Sequence, residues 1–91
     1  MIEGFEWHAV KAAINLEKHG ISFEEAATVF WDENALLIAD TEHSDDEERF
    51  VLLGMSEHLR ILVVVHCERG DNIRIISARR ATNNETKQYG R

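Results

Sequence analysis

The run Ile73-Arg74-Ile75-Ile76-Ser77-Ala78-Arg79-Arg80-Ala81 sets several guanidiniums and a hydroxyl on a β-branched segment that leads towards a helix. A guanidinium grips phosphate through planar two-point hydrogen bonds, and a fixed one stabilises negative charge as it grows in a transition state. Arg79, Arg80 and Arg74 are therefore the first candidates for handling a phosphodiester. Ser77 is either a site hydroxyl or an ordinary strand residue. Residues 1–48 hold 2 basic and 13 acidic side chains (net −11) and residues 49–91 hold 8 and 4 (net +4), within an overall charge of −7. A basic half in an acidic chain points to an anionic partner such as nucleic acid. The competing reading is that the arginines pair with the acids of the first half, as exposed ion pairs that contribute little.

Other residues join this set by spacing. Lys11, Asn15 and Lys18, with His19 four residues after Asn15, form one polar and partly cationic stripe on a first helix, which is either a solvated face or part of the same site. His19 just before Gly20 also suits the negative end of a helix dipole. His66 and Glu68 share one face of a strand, as an imidazole with its orienting carboxylate or as two metal ligands. No third ligand is spaced to complete a metal centre, so neither metal nor cofactor is assigned. Glu85 and Tyr89 lie four apart on a terminal helix, where Glu85 partners Thr82 in a cap and Tyr89 can stack on a base or donate to a phosphate. His8, His43 and His58 read as solvent-exposed. The chain lacks a Gly-rich phosphate loop, a GxSxG turn and an HExxH helix, which removes NTPase, hydrolase-elbow and zincin readings.

These residues need elements to hold them. Ile2 to Trp7 can form a short edge strand, and Val10, Ala13 and Ile14 recur at helical spacing across residues 8–19, ended by Gly20. Ser22 and Glu25 form a capping box for a second helix carrying Phe23, Ala26, Ala27 and Phe30, which stops near Trp31-Asp32-Glu33-Asn34. Residues 35–39, 50–56, 60–67 and 73–80 read as strands joined by short polar connections, a four-stranded meander. Thr82 and Glu85 start a short terminal helix that runs through Tyr89. In the third of these strands Ile61, Val63, Val65 and Cys67 point one way and Leu62, Val64, His66 and Glu68 the other. The faces of the last strand stay open. Trp7, Phe23, Phe30, Trp31 and Phe50 read as core.

Two helices followed by hairpins is an α+β pattern, and 91 residues with 44 % apolar content support one domain over 1–91. Cys67 is the only cysteine, which excludes an intrachain disulfide and suits a reducing cytoplasm. The run Ile61-Leu62-Val63-Val64-Val65 is far short of the roughly 20 apolar residues of a membrane span. The opening Met1-Ile2-Glu3-Gly4 shows no signal pattern, so neither membrane nor export is expected. The acidic stretch from Asp40 to Glu48 reads as an exposed loop that either keeps the protein soluble or steers a basic partner.

Several segments, taken in order, resemble the BrnT-type toxins. They are Phe5-Glu6-Trp7-His8-Ala9-Val10-Lys11, Asn15-Leu16-Glu17-Lys18-His19-Gly20-Ile21-Ser22-Phe23, Glu48-Arg49-Phe50, Leu53-Gly54, Ser77-Ala78-Arg79-Arg80-Ala81, and Glu85 with Tyr89. The resemblance implies a RelE-like fold, with two N-terminal helices on one face of a four-stranded, mainly antiparallel sheet and a short C-terminal helix. It implies a cytoplasmic ribonuclease toxin that arrests translation. It also implies a BrnA-type antitoxin, a ribbon-helix-helix DNA-binding protein that would join it in a hetero-oligomer and repress their shared operon. The motif positions are Lys11, Asn15, Lys18, His19, Arg49, Arg79, Glu85 and Tyr89. Two departures stand out: His8 occupies the place of an aspartate, and His66 that of a frequent tyrosine.

The chemistry this suggests is metal-independent endoribonucleolysis, in which the RNA's own 2′-hydroxyl attacks the adjacent phosphate. Arg79 with Arg80 would stabilise the phosphate, Lys11 and His19 would anchor the backbone or shuttle protons, and Tyr89 would position a base. Arg74, Lys18, Asn15 and Arg49 would contact RNA, with His66, Glu68 and Glu85 as acid, base or orienting groups. The alternative is a module of the same fold that binds RNA or a partner without cleaving.

Overall fold

The computed structural model describes residues 2–40 and 47–90. The predicted loop from Asp40 to Glu48 thus has its centre, residues 41–46, outside the described residues. Strand β1 (Phe5–Glu6) leads into helix α1 (Ala9–His19), then α2 (Phe23–Thr28) and a 3₁₀ turn (Val29–Trp31). Strands β2 (Leu36–Asp40), β3 (Arg49–Met55), β4 (Ile61–Arg69) and β5 (Asn72–Arg80) follow, and α3 (Asn83–Tyr89) closes the chain.

The sheet has five strands in the order β1-β5-β4-β3-β2. The four-stranded meander is present as β2 to β5, all antiparallel. The correction is β1, which pairs parallel to β5 through Phe5↔Ile73 and Glu6↔Arg74 and makes the sheet mixed. A parallel neighbour needs a long crossover, and here the whole chain between residues 6 and 72 supplies it.

Local chemistry explains the helix ends. Gly20 adopts φ 71°, and its N–H donates to the Leu16 carbonyl at 2.8 Å, the left-handed stop that glycine favours. The Ser22 hydroxyl accepts from the Glu25 N–H at 3.0 Å, but the second half of that predicted capping box does not form. The Glu25 carboxylate is buried and accepts instead from Ser56 Oγ (2.7 Å) and from the Arg60 guanidinium. Burial raises its pKa, yet the bonds from Arg60 and Ser56 and the Arg60 charge outweigh that, so the carboxyl titrates below its ordinary value. At Thr82 both halves of the box are present.

The core lies between α2 with its 3₁₀ turn and one face of the sheet, where Phe23, Ala26, Ala27 and Val29 meet Leu52, Leu62, Val64, Ile75 and Ala78. Leu53, Val63 and Cys67 are also buried but stand outside this cluster, as the alternation of β3 and β4 requires. Trp31 is not core, being 64 % exposed. Gly54 lets the 3₁₀ turn approach β3: a Cβ there would sit 2.8 Å from both Ala35 Cβ and Val29 Cγ1. Gly54→Ala is therefore expected to destabilise the fold by about 1–3 kcal/mol, read as a lowered urea midpoint at unchanged m.

Helix α1 overturns its predicted orientation. Its apolar members Val10 and Ile14 are 60 % and 56 % exposed, while Asn15 is buried. The reason is the neighbour it meets. Past Arg74, β1 no longer covers β5, and the Asn15 side-chain amide takes its place, donating to the Ala78 carbonyl at 2.8 Å and accepting from the Ala78 N–H at 3.1 Å. A third bond goes to the Ile21 carbonyl at 3.0 Å. One polar side chain thus satisfies a strand edge, and hydrophobic periodicity does not reveal that.

Candidate nucleic-acid interface

The arginines of β5 owe their directions to one irregularity. Val65 pairs with Ser77 and His66 with Ile75, which leaves Ile76 without a partner. Such a bulge reverses the alternation of side chains beyond it. Ile73, Ile75 and Ala78 pack with the core on the helix side. Arg74, Ser77 and Arg79, opposite Cys67, Val65 and Val63, consequently share the other face. Arg80 lies opposite the core residue Leu62, so it points to the helix side. The expectation that Arg79 and Arg80 act together on one phosphate is thus corrected: adjacent strand residues face opposite ways.

On the outer face Arg74, Cys67 and Arg49 stand side by side across β5, β4 and β3. Burial, followed by the Glu47 carboxylate, pushes the Cys67 thiol up and keeps it protonated. Next to this row His8, Lys11, Arg49 and Arg74 line a cavity of about 170 Å³, together with Glu47 and Ile76. A second concavity of about 290 Å³ continues along α1, lined by Lys11, Ile14, Lys18, His19, Ile76 and Ser77. Lys11 and Ile76 belong to both, so the two form one cationic track from β3 across β5 to the end of α1. Within it Asn15 is structural and offers no free amide. His8, read from sequence as merely exposed, sits at the N-cap of α1 with no capping bond, which leaves its imidazole available to the cavity.

The bland reading of the arginines is partly realised. Arg60 pairs with Glu25, Arg69 with Glu47 at 3.8 Å, and Arg74 with Glu6 at 3.7 Å, all acids of the first half. The Arg74 pair is long, with both side chains about one third exposed (35 % and 31 %), so it holds the guanidinium weakly. Arg79 is held firmly: its two terminal nitrogens donate to the two Glu85 oxygens at 2.8 and 2.9 Å. Lys11, Lys18 and Arg80 make no ion pair among the described residues.

Helix α3 buries no residue and is moored beside β3 by two polar links. Glu85 binds Arg79, and the Tyr89 hydroxyl donates to Asp32 Oδ2 at 2.6 Å. Asp32, which the sequence reading passed over, also accepts from the Met55 and Asn34 N–H groups. Glu85 and Tyr89 therefore do share a helical face, but it is turned onto the protein rather than towards a base. His66 lies on the helix side, buried against Phe30 and Phe50 with ring centroids 4.7 and 5.9 Å away, and burial lowers its pKa. It and the exposed Glu68 are on the far side of the sheet from Arg74, so they serve no shared catalytic role with it.

Residues 7–85 match the family model described as ribonuclease toxin, BrnT, of type II toxin-antitoxin system. The chain belongs to that family. The crystal structure of the Brucella abortus ribonuclease toxin BrnT, at 1.1 Å resolution, is similar with a TM-score of 0.67 and 23 % identity, covering 87 % of this chain and 96 % of that one. At that identity the likeness is one of fold. No curated protein matches the sequence. Among the described residues no helix is long and apolar enough to cross a membrane.

In this BrnT-family chain the moorings of α3 make it acid-sensitive. The Arg79 guanidinium holds the Glu85 carboxyl down at about 2, with help from Thr82. Burial raises Asp32, but donation from Met55, Tyr89 and Asn34 prevails and leaves it lowered. A depressed carboxyl gives stability that is complete above its unfolded value and is lost as pH falls through the folded one. Amide exchange in α3 is therefore expected to accelerate between about pH 4.5 and 2, ahead of β4. Simultaneous loss in both elements would contradict this.

Proposed function

We propose that the chain is an endoribonuclease of the RelE-like kind, active without a metal ion, whose substrate lies along the track between α1 and the outer face of the sheet. The observation that carries this reading is the bulge at Ile76, since it turns Arg74 to the same face as Ser77 and Arg79 and beside Lys11, Arg49 and His8. In that setting the RNA's 2′-oxygen attacks the adjacent phosphorus, the bond to the 5′-oxygen breaks, and a 2′,3′-cyclic phosphate and a 5′-hydroxyl result. Arg74 and Arg49 with Lys11 meet the phosphate whose charge spreads over its oxygens. His8, which lines the cavity with Arg74, would take the proton from the 2′-hydroxyl or give one to the leaving oxygen, and His19, about 16 Å away at the other end of α1, would meet the flanking backbone. Lys18 binds the flanking backbone electrostatically. Arg79 contributes through its remaining donors and through α3.

In a cell this activity would arrest translation in the cytoplasm, and a BrnA-type ribbon-helix-helix antitoxin would bind the toxin and repress the shared operon. Incubating the purified protein with end-labelled RNA in EDTA tests the enzymatic core of the reading. Fragments ending in cyclic phosphate are expected. Intact RNA in EDTA that is cut once Mg²⁺ is restored would refute the metal-free route. RNA that is retained but never cut would favour a binding module, a reading supported by the carboxylates already engaging Arg74 and Arg79.

A further inference from the structure

Strand β2 is an outer strand of unusual character. It pairs only with β3, and its other edge receives no backbone bond among the described residues. Its aliphatic residues are exposed on both faces: Leu36 by 39 %, Leu37 by 61 % and Ile38 by 50 %. Strands apolar on both sides ordinarily lie inside a sheet, and solitary edges are guarded by lysine, proline, bulges or covering segments. Among the described residues none of these guards is seen at residues 36–39, and the whole chain has no proline.

A cavity adjoins this edge. Leu37 forms part of its wall, Phe30, Leu52 and His66 line it, and Glu68 and Asp71 stand in its lining; its volume is about 480 Å³. No lysine or arginine lines it, and neither acid forms an ion pair among the described residues. Glu33 before β2 and Glu48 beside β3 add negative charge near the ends of the strand. The cavity lies on the helix side of the sheet, where Ile73 and His66 point, away from the face of Arg74.

We propose that the free edge of β2 and the acid-lined cavity beside it together dock an extended, basic and apolar segment of a partner protein, which adds a sixth strand to the sheet. Main-chain hydrogen bonds to β2 would give affinity and alternate side chains would give specificity. On the outer face the aliphatic side chains of the segment cover Leu36 and Ile38, and on the helix side its alternate side chains pass Leu37 with their stems and bring their cations to Glu68 and Asp71. A polyanion has no place at this site. A second copy of the chain fits poorly, because pairing β2 with itself would bring the same acidic flanks together. The surface is separate from the cationic track, so its occupation does not depend on whether the chain cuts RNA.

Three synthetic octapeptides test this: alternating lysine and valine, alternating glutamate and valine, and the lysine-valine peptide with a central proline. The lysine-valine peptide is expected to protect the amides of residues 36–39 from exchange and to bind at least about tenfold more tightly than the other two. Ile38→Lys and the pair Glu68→Gln with Asp71→Asn should each weaken it by about tenfold, with the urea midpoint of each variant confirming the fold. Leu37→Lys replaces Ile38→Lys should the latter fail to fold. Equal binding of the acidic or proline peptide, or indifference to all these substitutions, would overturn the proposal. So would a concentration-dependent dimer that Ile38→Lys dissolves, which would give the edge to a second copy.

Discussion

Replacing Arg74 with alanine is expected to slow RNA cleavage by about 10²–10³-fold, the scale on which one preorganised donor at a developing oxyanion matters. The expectation rests on the contrast between two guanidiniums on one face. Arg79 spends both terminal nitrogens on Glu85, which is ionised at neutral pH. Among the described residues Arg74 has a single ion-pair partner, at 3.7 Å, and it lines the cavity with Lys11, Arg49 and His8. A phosphate can displace a long ion pair whose side chains are about one third exposed with little loss. It would displace a bidentate one only by unmooring α3. The same substitution at Arg79 should therefore cost less in rate and more in α3 protection. Single-turnover rates beside amide exchange for both variants decide the matter. A rate unchanged in Arg74→Ala but abolished in Arg79→Ala would move the phosphate to the α3 end of the face.

Asn15→Leu is expected to destabilise the fold by about 3 kcal/mol, since it strands three backbone groups at once and each costs about 1–3 kcal/mol if left unpaired. Those groups are the N–H and carbonyl of Ala78 and the carbonyl of Ile21. Urea denaturation at unchanged m measures the loss directly. A residue that merely touched RNA would show no such effect, so a shift below about 1 kcal/mol would return Asn15 to the interface. The position also bears on activity, because Asn15 is what ties α1, and with it Lys11, Lys18 and His19, to β5.

How much of this was legible in the chain can be judged residue by residue. Stop and start signals were read correctly where they are local: Gly20 ends α1, Ser22 starts α2, and Thr82 with Glu85 starts α3. The strands of the meander fell within a residue or two of their observed limits, and the two faces of β4 were separated correctly. What failed was non-local. The parallel place of β1 depends on a partner nearly seventy residues away. The outward turn of Val10 and Ile14 depends on an amide bonding a strand edge, which inverts the usual meaning of an apolar stripe. Glu25 was expected to close a cap, but Arg60 and Ser56 lie too far along the chain for spacing to announce them. Among site residues, Lys11, Lys18, His19, Arg49 and Arg74 do come together. Tyr89 and Glu85 moor a helix, and Arg80 and His66 face the other way. His8 was noted in the place of an aspartate yet read as merely exposed, and Asp32 was overlooked because it belongs to no recognisable pattern.

Arg74 and Arg79 are five positions apart, an odd interval that in an unbroken strand would send them to opposite sides of the sheet. The unpaired Ile76 acts as a parity switch. Straightening the bulge with Ile76 drawn into the ladder would keep every residue, yet it would turn Arg74 beneath the helices and bring Ile75 into the place it leaves; deleting Ile76 would instead leave an even interval and both arginines on one face. Among relatives of this chain, a β5 shorter by this one residue should therefore run straight and still hold both arginines on one face, whereas a one-residue change that keeps the bulge would part them.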